Sequence, residues 1–347
     1  MMSDTTLRDR PDALTEARGL SAEYAGAFAN HTPMVLWAQR QLGGGEDAAR
    51  RFLSNYIQDL KLGPMAPPDG TIQRADWTAR LGDRRAEAAY RAFFLAELAR
   101  LGDARALQRL YLPRLLPGIA ASALHALMRL AYAVASDTAA EVAAALGYWA
   151  ATYLPLGEGL DAAPRTDQPA GVLLLVGAQP ALRAMEFDDG LLWHAMRRTA
   201  AMPDFAAVHD WLAVGPDTIP KMAHDSLLLF GATMDFCALH ALTGTHWLRL
   251  VLPVLDPADQ QRAIRFFWQA IASVYPKMGC PMPLDEAAAE ALRRLPVPEW
   301  PEIAAAACAS DDEHDISLCY SARCEEAHWS DRLYRVLAAR RLGLAGE

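Results

Sequence analysis

Five of the nine histidines in this chain stand at helix junctions or inside apolar runs. His240 and His246 lie in CALHALTGTHWLRL, residues 237–250, a segment otherwise almost wholly apolar. His125 lies in GIAASALHALMRLAYAVA (118–135), His31 in ANHTPM and His314 in SDDEHDISL. A polar side chain on an apolar face needs a partner, because burying it unpaired costs roughly 1–3 kcal/mol. Neutral imidazole is the commonest ligand for iron, zinc and copper, so a group of buried histidines points to a metal. The plainer alternative, a core histidine satisfied by hydrogen bonds, holds for most single histidines in apolar helices. Similar placements in the two most apolar helices bring the readings level. Arg129 follows His125 by four residues and Arg249 follows His246 by three, so each arginine shares a helix face with its histidine. His194, His209, His224 and His328 sit beside charged or loop residues and read as surface or supporting groups.

The elements that must position these side chains read as helices almost throughout. Ala, Leu, Arg and Glu dominate, and these are strong helix formers. GVLLLVG (171–177) is the one short β-like run, and a buried helix explains it equally well. ARLGD occurs at 79–83 and 99–103, where Gly can close one helix and Asp can cap the next. Helices are expected over 20–30, 33–42, 118–135, 218–242, 245–254 and 311–327, among others. In a straight helix, six residues turn a side chain by about two-thirds of a turn, which would point His240 and His246 apart. Gly244, between Thr243 and Thr245, is the place to break the helix and bring both imidazoles to one pocket. Thr32 can cap the helix that follows His31, with Pro33 in its first turn. Asp311 or Asp312 can cap the helix that carries His314, so DDEHD reads as a helix start rather than a carboxylate cage.

The expected architecture is all-α: a single large multi-helix domain over residues 20–347 after a flexible segment, 1–19. The loop LGEGLDAAPRTDQPAG marks a candidate boundary between halves. With 52% hydrophobic residues and a net charge of −9, the chain reads as a globular protein without the clustered basic residues that nucleic acid needs. Its five cysteines form no CxxC pair and read as reduced thiols. The N-terminus has no apolar core, and no run of about 18 apolar residues appears, so a soluble, cytoplasmic protein without membrane contact is expected. No dinucleotide GxGxxG, P-loop, HExxH, CxxCH or GxSxG motif occurs.

The pieces NHTPM (30–34), ALHALMRLAYAV (123–134), GYWA (147–150), FCALHALTGTHWLRLVLP (236–253) and DDEHDISL (311–318) together resemble the questin oxidase-like family. They occur in the family's order and cover most of the chain from about residue 20 onward. The resemblance implies an all-helical oxygenase that acts on aromatic polyketides and opens anthraquinone-type rings. The family was first described as NADPH-linked and Baeyer–Villiger-like; a later view gives it non-haem iron held by histidines and a modified lysine. The missing nucleotide motif agrees better with the metal view. Many relatives read His-x-x-Lys where this chain has His314-Asp315-Ile316-Ser317, and Asp315 or Asp235 is the candidate replacement for that lysine. Fungal relatives often carry a second histidine where this chain has Arg129.

On this reading His31, His125, His240, His246 and His314 hold non-haem iron, with dioxygen as co-substrate and a small aromatic molecule as substrate. Arg129 and Arg249 would orient ligands or steady an anionic phenolate, or else serve as buried hydrogen-bond partners. Two rivals stand beside it: a non-catalytic helical scaffold descended from such enzymes, and an oxygenase that needs no cofactor. A homodimer is left open.

Overall fold

Aspartate is the recurrent start signal of this chain. Asp12, Asp103, Asp235, Asp256, Asp285 and Asp312 each occupy an N-cap and accept a backbone N–H with the side chain. The structure, a computed structural model, describes residues 11–345 apart from Asp189. The chain begins with α1 (Ala13–Arg18), α2 (Thr32–Gln41) and α3 (Glu46–Leu60). It continues with α4 (Glu87–Leu101), α5 (Ala104–Leu115), α6 (His125–Ala135) and α7 (Ala139–Ala151). Next come α8 (Pro169–Gly177), α9 (Pro180–Arg183), α10 (Leu192–Ala200), α11 (Thr218–Thr233) and α12 (Phe236–Val251). The last are α13 (Pro257–Val274), α14 (Glu286–Arg293), α15 (Trp300–Ala309), α16 (Glu313–Trp329) and α17 (Leu333–Arg341).

The all-α expectation holds. GVLLLVG is α8, the buried-helix reading of that run. The second ARLGD works as its residues suggest: Gly102, at φ 69°, closes α4, and Asp103 caps α5. The helix expected over 20–30 does not form. Glu23–Tyr24 (β1) and Phe28–Ala29 (β2) make a small antiparallel hairpin instead, with Tyr24 opposite Phe28. Gly26 and Ala27 turn it at φ 77° and 72°, which a helix cannot accommodate.

Four helices form the centre. α2 packs on α6 and α16, and α12 packs on the same two, which closes a ring. α7 backs α6, α11 and α13 back α12, and α17 backs α16. α6 and α12 are therefore surrounded, and their apolar residues are buried on nearly every side. Phe230 of α11 and Phe267 of α13, on helices that back α12, are fully buried, each contributing roughly 1.5–3 kcal/mol of hydrophobic stabilisation.

One continuous apolar core runs from Ala13 to Ala339. The loop at 156–171 does not divide it, because Trp268 and Gln269 of α13 donate hydrogen bonds to Pro169 O and Leu156 O at its two ends. Within the segment 1–19, expected to be flexible, Ala13–Arg18 forms α1, which buries Ala13, Leu14 and Ala17. Residues 1–10 lie outside the described residues. Among the described residues no helix is long and apolar enough to cross a membrane.

Candidate metal centre

Every helix of the central ring delivers one histidine at or near its N-terminus. His31 is the residue before α2, and His125 opens α6. His240 sits one turn into α12, and His314 is the second residue of α16. The four imidazoles meet. His31 and His125 have ring centroids 4.4 Å apart, His31 and His314 5.1 Å, His125 and His240 5.5 Å, and His240 and His314 5.7 Å. The ligand atoms of His31, His125 and His314 lie within 4.8 Å of one another.

Local backbone chemistry aims each ring. His31 is the N-cap position of α2, one residue before the Thr32 expected there, and Asn30 beside it accepts from the Thr32 N–H and hydroxyl at 2.9 and 2.7 Å. At α16 Asp312 is the cap, and its Oδ1 accepts from both the backbone N–H and the Nδ1 of His314, at 2.8 and 2.9 Å. The helix expected over 118–135 begins only at His125. Before it, Ser122, Ala123 and Leu124 all hold left-handed backbone, at φ 46°, 57° and 73°. For residues with a Cβ this costs roughly 1–2 kcal/mol each, and strain of this kind concentrates at functional sites. The turn presents Ser122 O to the Nδ1 of His125.

The pattern of ring nitrogens is uniform. Nδ1 of His31 donates to Ala29 O at 3.0 Å, that of His240 to Phe236 O at 2.8 Å, and those of His125 and His314 to the acceptors just named. Each bond fixes the proton on Nδ1 and leaves Nε2 as a lone-pair donor. Nε2 of His31, His125 and His314 is buried and has no hydrogen-bond partner. Burial holds His31 and His240 well below the ordinary histidine range, and proximity to the other imidazoles adds to the effect. Burial likewise brings His125 down to about 4. The positive ends of four helix dipoles act in the same direction, since they disfavour imidazolium and favour an anionic ligand. Such a group of oriented nitrogen donors could hold a metal ion.

The histidines border a cavity of about 260 Å³, near the lower end of ligand-pocket sizes. Its walls include Tyr24 and Phe28 of the hairpin, Leu191 to Trp193, Phe236 and Glu313. Phe28 is 49% exposed and Phe236 44%, so two large aromatic rings stand at the mouth. Phe236 also packs its ring against His240 and His314 at 4.6 and 4.8 Å. Burial raises the Glu313 carboxyl, whose Oε1 lies 3.5 Å from His31 Nδ1. Tyr56 places its hydroxyl 3.3 Å from the same nitrogen.

His246 does not join the group. α12 runs unbroken through Thr243-Gly244-Thr245, and the break in this region comes earlier, at Met234 (φ 48°) and Asp235. Gly244 admits the Phe267 ring, which would lie 2.8 Å from an added Cβ. Thr243 and Thr245 return their hydroxyl protons to Leu239 O and Ala241 O, one turn back. His246 therefore faces a second layer, where Tyr320 lies 5.8 Å away and Glu325 accepts from its Nδ1 at 2.6 Å.

Neither arginine reaches the pocket. Arg249 donates to Glu325 at 2.5 and 3.0 Å, and Arg129, one turn along α6 from His125, pairs with Glu141 at 3.3 Å. The carboxylates weighed as replacements are occupied too: Asp235 caps α12, and Asp315 accepts from Ser310 and Arg341. Ser317 turns to the Tyr132 hydroxyl at 3.3 Å. Sequence reasoning passed over Tyr24, Phe28, Tyr56, Trp193 and Glu313. The glycine turn between two aromatics in EYAGAF was the available hairpin signal, and Glu313 stood beside a histidine already chosen.

The family profile described as Questin oxidase-like matches residues 28–322, a span that contains all four clustered histidines. No curated protein matches the chain.

Proposed function

Because the chain belongs to the questin oxidase-like family, whose membership implies an oxygenase of polyketide metabolism, we propose that the histidine pocket holds non-haem iron and oxidises a flat aromatic polyketide with dioxygen. The observation that carries this reading is that His31, His125 and His314 bring ligand atoms within 4.8 Å of one another, while the Nε2 of each is buried without a partner and its Nδ1 proton is engaged. A lone unpaired nitrogen, as at His246 Nε2, does not make such a set; what distinguishes the pocket is that three of them belong to clustered rings.

His31, His125 and His314 would supply the first three nitrogen ligands, with His240 beside them. Ala29 O, Ser122 O, Phe236 O and Asp312 hold the rings in the ligating tautomer. When bound, iron offers open coordination positions for dioxygen. The surrounding residues do the rest. Four helix starts draw the anionic oxygen of a phenolic substrate toward the histidines, while Tyr24, Phe28, Trp193 and Phe236 take its rings and exclude water. Glu313 lies on the Nδ1 side of His31, where its carboxyl faces that imidazole at 3.5 Å. With Ser317 turned toward Tyr132, no lysine is needed at that position to explain the nitrogen set.

The test is elemental analysis of anaerobically purified protein, paired with two variants. The wild type should carry about one iron per chain. His125→Ala should lose it while His246→Ala keeps it, with both folded by circular dichroism. Iron retained by His125→Ala would refute the assignment. Oxygen uptake by iron-loaded protein over a panel of anthraquinones and anthrones, beside an apo control, then tests the reaction; equal uptake in both samples would exclude a metal-dependent one.

A further inference from the structure

Arg129 stood out in the sequence beside His125, yet the pocket makes no use of it. Its side chain is 2% exposed, and Glu141, itself 7% exposed, is the one acceptor found for its five N–H donors among the described residues. Its Nε has no hydrogen-bond partner. Arg18, from the last turn of α1, brings a second Nε without an acceptor to the same place. Arg18 and Arg91 approach Glu141 only at 4.0 and 3.9 Å. Three guanidinium groups thus share one carboxylate.

Between Arg18, Arg129, Glu141, Ser136, Trp37 and Tyr132 lies a small cavity of about 10 Å³, room for one particle the size of a water molecule. A second carboxyl, Glu87, lies near Arg91 and Arg129, and burial raises it toward the neutral form. Even with Glu87 ionised, three positive groups face two negative ones. A buried guanidinium with one acceptor for its five donors, as at Arg129, is costly, and a neutral water would leave the excess charge in place.

We propose that this cavity is a binding site for a single small monovalent anion of halide size, held between Arg18 and Arg129. The anion completes the hydrogen bonding of both Nε atoms and ties α1 to α6 and α7. Pro33 and Met34, in the first turn of α2, form part of its wall. The site therefore also steadies the turn that follows His31. It is separate from the histidine pocket and does not depend on what that pocket binds.

The experiment uses the full chain and bromide as the probe. Crystals grown in sodium bromide should give an anomalous peak between Arg18 and Arg129. Thermal unfolding in sodium chloride or bromide should show a midpoint roughly 2–5 °C above that in sodium gluconate at equal ionic strength. Arg129→Met, or Arg18→Met where the first variant does not fold, should abolish both the peak and the halide-specific rise. Density without anomalous signal would mean a water and overturn the proposal. A bromide peak with identical midpoints in all three salts would mark an adventitious ion and overturn it equally.

Discussion

Replacing Glu325 by Gln tests the energetics of the layer beneath the histidine pocket. The Glu325 side chain is 1% exposed and accepts from His246 Nδ1 at 2.6 Å, from Arg249 Nη2 at 2.5 Å and from Trp329 Nε1 at 2.7 Å. Burial alone would raise its carboxyl, but the hydrogen bonds and charges of His246 and Arg249 outweigh it and hold the group at about 2, against an ordinary 4.5. A shift of that size corresponds to about 3 kcal/mol of stability from the ionised form. Glutamine keeps the shape and loses the charge, so Glu325→Gln should cost about 3 kcal/mol at pH 7, within the range for breaking a buried pair.

The sign of the pH dependence follows from the depressed folded value. The contribution is complete above the unfolded value near 4.5 and fades as pH falls toward 2. The gap between wild type and variant should therefore narrow on acidification, by roughly 1 kcal/mol at pH 3.5. Urea unfolding at pH 7, 5 and 3.5 measures it. A gap below about 1 kcal/mol at pH 7, or one that ignores pH, would refute the reasoning. The iron content of the variant should stay at the wild-type level, because Glu325 lies outside the pocket wall.

Two further outcomes are expected. Ala123→Gly relieves a left-handed residue at φ 57° and should raise stability by about 0.5–1 kcal/mol after the extra freedom of glycine in the unfolded chain is subtracted; Ala123→Val should lower it, and urea midpoints in the reverse order would contradict the strain argument. Metal-free protein should lose stability as pH falls from 6.5 toward 4, because His125 stays neutral in the fold down to about 4 and takes a proton in the unfolded chain; the loss from that residue is about 3 kcal/mol, and a flat profile across this window would count against its burial.

Much of this fold was legible because its signals are local. Helix formers, the Gly102–Asp103 junction and the aspartate caps act within a turn of where they stand. Four of the five chosen histidines meet because each sits near a helix start; the starts beside His31 and His314 could be read, whereas those of α6 and α12 were expected earlier, at 118 and 218. What failed was direction. α6 and α12 are apolar nearly all round, so composition does not say which neighbour a given residue faces, and Arg129, His246 and Arg249 turned to Glu141 and Glu325 instead of the pocket. Gly244 was read as a hinge because glycine weakens helices, whereas its use here is to let the Phe267 ring approach. The left-handed turn at 122–124 escaped for another reason: serine, alanine and leucine at positive φ are imposed by tertiary packing, and nothing in their chemistry announces it.

The four imidazoles are drawn from positions 31, 125, 240 and 314, one from each quarter of the chain. No fragment that lacks any quarter can assemble the set, and truncation before α16 removes His314 together with Glu313. An ion held there binds only the fully assembled chain, so its free energy opposes the opening of any one of the four helices equally. Regions that would otherwise open independently become coupled through a common ligand, and hydrogen exchange in α2, α6, α12 and α16 should slow together when it binds. With an ion bound, the pocket would act as a closure that forms only when all four helices are in place.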